Sequence, residues 1–108
     1  MPELSRHDIA LTFHGWRVNF VIGPGNSVGL FVNECLRKER TAAPGDVVYV
    51  WTNLELAWEE HRWLEARLVW PDAAAGGARL HATINGETWF VVELSAGAEA
   101  LLTLSPID

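Results

Sequence analysis

Few residues in this 108-residue chain have a type and spacing suited to catalysis. Nucleophilic catalysis needs a serine or cysteine beside a base that a third group holds in place. The chain contains no Gly-x-Ser-x-Gly element, and its one cysteine, Cys35, falls on an apolar stripe at helical spacing. Because free cysteine is among the most often buried residue types, we expect Cys35 to be a core residue and not a nucleophile.

A metal ion or an acid–base pair would need histidines and carboxylates that converge. The four histidines stand at positions 7, 14, 61 and 81, with no His-x-x-x-His or His-Glu-x-x-His spacing. A site joining His61, either Glu59 or Glu60, and His81 across neighbouring hairpins is conceivable, but a solvated turn explains the Glu59-Glu60-His61 run better. We expect no metal and no cofactor, and keep a small enzyme that uses this turn as a second alternative.

The net charge of −6 lies entirely in the second half of the chain. Residues 1–54 hold five acids and five bases, whereas residues 55–108 hold nine acids and only three arginines. An acidic field repels phosphate backbones and attracts basic surfaces, so it favours a basic protein partner over nucleic acid. Solubility alone also explains a net negative charge on a tryptophan-rich chain.

Composition predicts one globular domain over residues 1–108. Hydrophobic residues make up 49% of the chain and charged residues 20%, unlike disordered sequences. The start of the chain lacks the basic and apolar regions of a secretory signal, and no apolar run is long enough to span a membrane. A single cysteine suits a reducing compartment, so we expect a cytoplasmic protein without a membrane segment.

Two β-hairpins are indicated by alternating apolar residues on either side of His14-Gly15 and Asn85-Gly86. Two-residue turns of this kind fix the strand register and place the large apolar side chains on one face. The expected pairs are Phe13–Trp16, Leu11–Val18 and Ile9–Phe20 in the first hairpin, and Ile84–Glu87, Ala82–Trp89 and Leu80–Val91 in the second.

Residues 27–40 predict the main helix. Val28, Phe31, Val32, Cys35 and Leu36 recur at helical spacing. Ser27 is the expected N-cap. The bases at positions 37, 38 and 40 would complement the helix dipole in the last turn, before Pro44-Gly45 ends the element.

Residues 47–70 favour a further hairpin, because their even positions are mainly apolar up to Trp70. A three-residue loop at 60–62 would pair Trp58 with Leu64, Leu54 with Leu68 and Glu55 with Arg67. The strong helix propensity of residues 54–68 keeps a helix as the alternative. Residues 98–104 fit a last strand or a helical turn. The predicted class is α+β, in the order β-β-α-β-β-β-β: an antiparallel sheet or partly open barrel with one main helix.

A short resemblance adds another function. The segment Thr41–Trp51, a Pro-Gly-Asp turn that leads into an apolar strand after a basic stretch, resembles the strand entry of PUA-like barrels. The resemblance covers 11 of 108 residues. It implies a module that binds nucleic acid or a modified base, and this is the first alternative function.

Six tryptophans are the most unusual feature of the composition. The expected strand registers place Trp16 and Trp89 in the core, and Trp51 and Trp63 on a polar face. Aromatic anchors inside a charged rim are typical of an interface, although a second layer formed by the terminal segment is an equal alternative. We expect a non-enzymatic inhibitor, immunity or adaptor protein, with self-association left open. The expected contacts to a basic partner are Trp51, Trp63, Glu55, Glu59 and Glu60.

Overall fold

The computed structural model describes residues 6–57, 60–72, 76–95 and 101–106. Within them, the strands are β1 (His7–Phe13), β2 (Trp16–Ile22), β3 (Ser27–Val32), β4 (Cys35–Thr41), β5 (Val48–Ala57), β6 (Glu60–Asp72), β7 (Gly77–Ile84), β8 (Glu87–Leu94) and β9 (Leu101–Leu104). They form a four-stranded sheet, β1-β2-β3-β4, and a five-stranded sheet, β5-β6-β7-β8-β9. Neighbouring strands are antiparallel, so each sheet is a meander. In this part of the chain there is no helix of the length and apolarity needed to cross a membrane.

The predicted α+β class is wrong, because the described residues contain no helix and the fold is all-β. Residues 27–40, the expected main helix, form the β3–β4 hairpin. Its turn is at Asn33 and Glu34, whose φ angles of 48° and 71° suit a tight hairpin turn. The Asn33 side chain also accepts a hydrogen bond of 2.9 Å from the backbone N–H of Arg17, which ties the turn to β2.

Two hydrophobic periods overlap in this segment, and burial selects the period of a strand. Val28, Leu30 and Val32 alternate into the core and are fully or almost fully buried. Leu36 and Cys35 are exposed, so the expected burial of Cys35 is also wrong. The apparent helical spacing arises because the apolar residues of β3 are followed, directly after the turn, by the apolar residues Cys35 and Leu36 at the start of β4.

The other features that suggested a helix have different roles. Ser27 begins β3, and its hydroxyl donates a hydrogen bond of 3.2 Å to the carbonyl of Pro24. Arg37, Lys38 and Arg40 lie on β4 and not in a last helical turn. Because side chains alternate along a strand, Lys38 and Arg40 share one face of β4. That face turns towards β5, where both side chains lie over the Trp51 ring.

The two hairpins with clear turn signals are present. In β1–β2 all three expected pairs are confirmed, with the turn at His14-Gly15. In β7–β8 the turn at Asn85-Gly86 and the first pair are confirmed, but a bulge at Ala82/Thr83 shifts the later pairs by one residue. The observed partners are Ala82–Phe90 and Leu80–Val92. The bulge lets consecutive aromatic residues, Trp89 and Phe90, both enter the core.

The β5–β6 segment is a hairpin, but its predicted register is wrong. Leu54 pairs with Arg62 and Glu55 with His61, so residues 60–62 belong to β6 and are not the loop of the hairpin. Trp58, expected opposite Leu64, and Glu59 lie outside the described residues. The prediction of which side chains point inward is nevertheless correct, because registers that differ by an even number of residues keep the same side chains inward.

The core lies between the two sheets, which pack through aromatic pairs. Phe20 meets Phe90 edge-on with ring centroids 5.5 Å apart, and Phe13 meets Trp89 at 5.6 Å. All four rings are buried, and such pairs add to the stabilisation from burial alone. At one end of the sandwich, half-buried Trp16 donates its indole N–H to the carbonyl of Glu55 at 3.1 Å.

A buried asparagine joins the sheets at the opposite end. Asn26 accepts a hydrogen bond from the Trp70 indole at 3.1 Å and donates through Nδ2 to the carbonyls of Ala43 and Asp46, at 2.7 and 2.8 Å. A buried amide is costly unless it is paired, and this one is paired at both its oxygen and its nitrogen. It therefore holds the loop between β4 and β5, and with it the position of β4 beside β5.

Candidate partner-binding face of the β5–β6 hairpin

Alternation along β5 and β6 produces one polar face. Their buried positions include Val50, Leu54, Leu64 and Leu68, so the intervening residues point away from the core. We call these residues the outer face of the β5–β6 hairpin: Tyr49, Trp51, Asn53 and Glu55 on β5, and His61, Trp63, Glu65 and Arg67 on β6. This face contains three of the five residues that the sequence assigned to partner binding.

Trp63 is the exposed aromatic residue of this face. Its relative exposure is 40%, and its indole N–H donates to Glu65 Oε1 at 2.7 Å. Its backbone is clamped to the β7–β8 turn, since the Trp63 N–H donates to the Asn85 side chain and the Asn85 N–H donates to the Trp63 carbonyl. The ring is thus held at a fixed place while much of its surface faces solvent.

Glu65 organises the aromatic residues around it. Its Oε1 accepts hydrogen bonds from the Tyr49 hydroxyl at 2.6 Å and from the Trp63 indole. These donors hold the pKa of Glu65 below its usual value, chiefly through the Tyr49 hydroxyl, because they stabilise the carboxylate. The same bond raises the pKa of Tyr49, since the phenol must keep its proton to donate. Arg67 lies 4.0 Å from the other carboxylate oxygen.

Three of the described carboxylates lie around the turn end of the β5–β6 hairpin, and of these only Glu55 belongs to the outer face. Glu55 is exposed near the end of β5, and Glu60 forms an ion pair of 2.6 Å with Arg62. Glu87 begins β8 directly after the turn that clamps Trp63. Glu55 and Glu87 have no ion-pair partner among the described residues. We call this region the acidic end; Glu59, predicted as part of it, lies outside the described residues.

Trp51 lies on the same face but in a basic environment. Its ring stacks on Tyr49, with centroids 5.0 Å apart and planes at 25°. Lys38 Nζ lies 4.1 Å and Arg40 Cζ 4.9 Å from the Trp51 ring centroid, and Arg67 Cζ lies 4.7 Å from that of Tyr49. Trp51 is consequently half-buried beneath side chains from β4. We call these five residues the basic end.

Among the described residues, the histidines and Glu60 of the alternative enzyme do not converge. Asn53 Nδ2 donates to His61 Nδ1 at 2.7 Å, while Glu60 is held by Arg62. His81 contacts Thr88 at 2.8 Å and pairs with Arg67, six residues along β6 from His61. Six residues of strand span about 20 Å. No group of three potential metal ligands forms within the described ranges.

A larger cavity among the described residues lies elsewhere. It measures about 580 Å³ and lies on the outer face of the four-stranded sheet, where Ala10, Val21 and Phe31 contribute apolar surface. The charged residues around it pair with one another, Arg6 with Asp8 and Arg17 with Glu34. Because these charges are mutually satisfied, this cavity offers a ligand less than either end of the β5–β6 outer face does.

Comparisons with protein-family models, curated proteins and solved structures find no match to this chain. The resemblance of residues 41–51 to PUA-like barrels therefore remains an expectation from those residues alone. Functional inference depends on the geometry of the two ends of the β5–β6 outer face.

Proposed function

We propose that this protein is a non-enzymatic protein-binding domain whose acidic end contacts a basic partner. The observation that carries the proposal is Trp63, a large aromatic ring that is 40% exposed yet fixed by hydrogen bonds at its indole and its backbone. Tryptophan is enriched among the residues that dominate binding energy at interfaces. An inhibitor, immunity or adaptor protein would use such a surface.

The fixed position of Trp63 favours binding because little freedom is lost when a partner covers the ring. Immobilising a flexible side chain at an interface costs about 0.5–1.5 kcal/mol. Here Glu65 already holds the indole N–H, and Asn85 holds the backbone on the side of β7. A partner needs only to supply an apolar surface for the exposed part of the ring.

Charge supports a basic partner. Glu55, on the same outer face as Trp63, and Glu87, which follows the turn that clamps Trp63, are exposed without an ion-pair partner in the described part of the chain. Glu60 adds a carboxylate already shared with Arg62. Glu59, which lies outside the described residues, belongs to the same stretch of sequence. Acids at the rim accelerate encounter with a basic surface, whereas the aromatic anchor slows dissociation. With one cysteine and no disulfide to maintain, we propose the cytoplasm as the place of this interaction.

Site-specific photo-crosslinking in the source cell tests this function. A benzophenone amino acid in place of Glu55 samples the acidic end, and the same amino acid in place of Thr12 samples the outer face of the four-stranded sheet. We expect the Glu55 position to yield a discrete adduct with a basic protein, identified by mass spectrometry, that the Thr12 position does not yield. Adducts common to both positions, or an acidic partner at Glu55, would contradict the proposal.

A further inference from the structure

The basic end contains cations that no described carboxylate neutralises. Lys38 and Arg40 cover the Trp51 ring, and neither forms an ion pair within the described residues. The nearest acid in sequence, Glu39, lies on the opposite face of β4, with Oε2 3.7 Å from where a Cβ on Gly29 would stand. Glu65 is already engaged by Tyr49 and Trp63. Two adjacent positive charges are thus left to an external anion.

A small cavity opens beside these cations. It measures about 230 Å³ and lies between the end of β4 and the start of β5. Arg40 and Thr41 line one side, Tyr49 and Trp51 line another, and exposed Val47 contributes apolar surface. Sites for whole drug-sized ligands measure about 300–1,000 Å³, so this cavity suits one group of a ligand whose remainder stays outside.

We propose that this cavity binds the terminal phosphate of a phosphate monoester. A monoester phosphate carries close to two negative charges at neutral pH, which Arg40 at the cavity and Lys38 over the adjoining Trp51 ring would balance. The planar guanidinium of Arg40 suits phosphate oxygens, and Thr41 lines the same cavity. The aromatic ring beneath the cations keeps both side chains near the cavity before a ligand arrives.

The same geometry argues against single-stranded nucleic acid at this place. Proteins that bind single strands offer open aromatic faces on which successive bases stack. Here the Trp51 ring is covered by cations and stacked on Tyr49, whose own ring is covered by Arg67. Bases would have to displace these contacts, whereas a phosphate would only add to them.

Titration with phenyl phosphate, followed by ¹H–¹⁵N NMR, tests the site. We expect saturable shifts of the Trp51 indole and of the backbone amides of Arg40 and Thr41. Inorganic phosphate should bind the same residues more weakly, because it lacks an organic body to contact Val47. A single-stranded oligonucleotide with no terminal phosphate should not saturate these shifts. The absence of saturable shifts with both phosphate probes, or tighter binding of the oligonucleotide, would overturn the proposal.

Matched variants separate a built site from general charge attraction. Arg40→Gln and Lys38→Gln should each weaken phenyl phosphate binding about tenfold or more. Arg79→Gln removes the same charge from a cation that is paired with Glu93 and should leave the affinity unchanged. Equal loss in all three variants would contradict the site. This inference does not depend on the acidic end, so its failure would leave the proposed protein partner untouched.

Discussion

Trp51 and Trp63 lie on the same outer face of one hairpin and are diagonal neighbours across it, yet their surroundings have opposite charge. Cations from β4 cover Trp51, whereas Trp63 donates a hydrogen bond to the carboxylate of Glu65 and shares the outer face with Glu55. Residues on the same polar face of a sheet can therefore belong to different binding sites. Side chains from the other sheet cover Trp51 and so determine which ligands can reach it.

Trp89 lies in the core and shows what the loss of a buried tryptophan costs, in contrast to the exposed Trp63. Trp89 is 4% exposed and packs against Phe13 and Phe90. Trp89→Ala should lower the free energy of unfolding by about 3–5 kcal/mol, because it leaves a cavity. Trp63→Ala should cost about 1 kcal/mol or less, since much of its ring is already in water. Urea denaturation measures both. Equal losses would place Trp63 in the core and remove it as a partner contact.

Binding should separate the two outer tryptophans. With the partner recovered by crosslinking at Glu55, Trp63→Ala should weaken the complex by about 2 kcal/mol, mainly through faster dissociation. Trp51→Ala should cost less than about 1 kcal/mol, because its ring is already covered by side chains of its own chain. Surface plasmon resonance gives both rates. A larger loss for Trp51→Ala would reverse the assignment of the two ends.

The cations above Trp51 should contribute measurable but small stability. Each cation–π contact at an exposed site is worth about 0.5–1 kcal/mol. A double-mutant cycle of Lys38→Gln with Trp51→Leu should show coupling in this range. Arg6→Gln with Trp51→Leu is the control, because Arg6 pairs with Asp8 on the other sheet. Coupling indistinguishable from this control would mean that Lys38 does not stay over the ring.

The contact between Tyr49 and Glu65 should appear in the alkaline titration. Tyr49 is the only tyrosine, so tyrosinate absorbance reports its pKa alone. That pKa should lie above 10.0, because ionisation breaks the bond to Glu65 and places two negative charges together. Glu65→Gln should lower it. The stability from this raised pKa is present below the pKa of the unfolded tyrosine and is lost as pH rises through the folded value. A titration unaffected by Glu65→Gln would contradict the contact.

At acid pH the contact between Tyr49 and Glu65 makes stability fall as pH decreases, the reverse of its effect at alkaline pH. The pKa of Glu65 is lowered from 4.5, so its contribution is present above the unfolded pKa and is lost as pH falls through the folded one. Wild type should therefore lose more stability than Glu65→Gln over this acid range. Urea denaturation at a series of pH values measures the difference, and parallel curves would show that Glu65 is not stabilised as a carboxylate.

Much of the sheet structure could be predicted because strand alternation is a local signal. His14-Gly15 and Asn85-Gly86 identify their turns directly, and the alternation correctly places Trp51 and Trp63 outward. The β3–β4 turn lacks such a signal, since Asn33-Glu34 contains no glycine. Five apolar residues, three before the turn and two after it, also recur at helical spacing. Because residues 27–40 were expected to form a helix, the sequence did not predict that Lys38 and Arg40 lie over Trp51 in the basic end.

Two further features depend on contacts that sequence spacing does not encode. The bulge at Ala82/Thr83, which turns Phe90 inward, is favoured by packing against Phe20 across the sandwich. The hydrogen bonds that hold Trp63 come from Asn85, which is 22 residues away, and from Glu65 on its own strand. Only the bond between Trp63 and Glu65 is local in sequence. It can be predicted once the segment is known to be a strand, because residues two apart on a strand share a face.

The proposed protein partner is tested most directly by the effect of charge on association. Glu55→Lys with Glu60→Lys reverses two charges at the acidic end, and Glu39→Lys with Asp46→Lys makes the same change in net charge away from it. With the crosslinked partner in hand, the first pair should slow association at low salt about tenfold or more, and high salt should remove the difference from wild type. The second pair should associate at a rate close to that of wild type. Equal slowing by both pairs, or faster association of the first, would contradict binding of a basic partner at the acidic end.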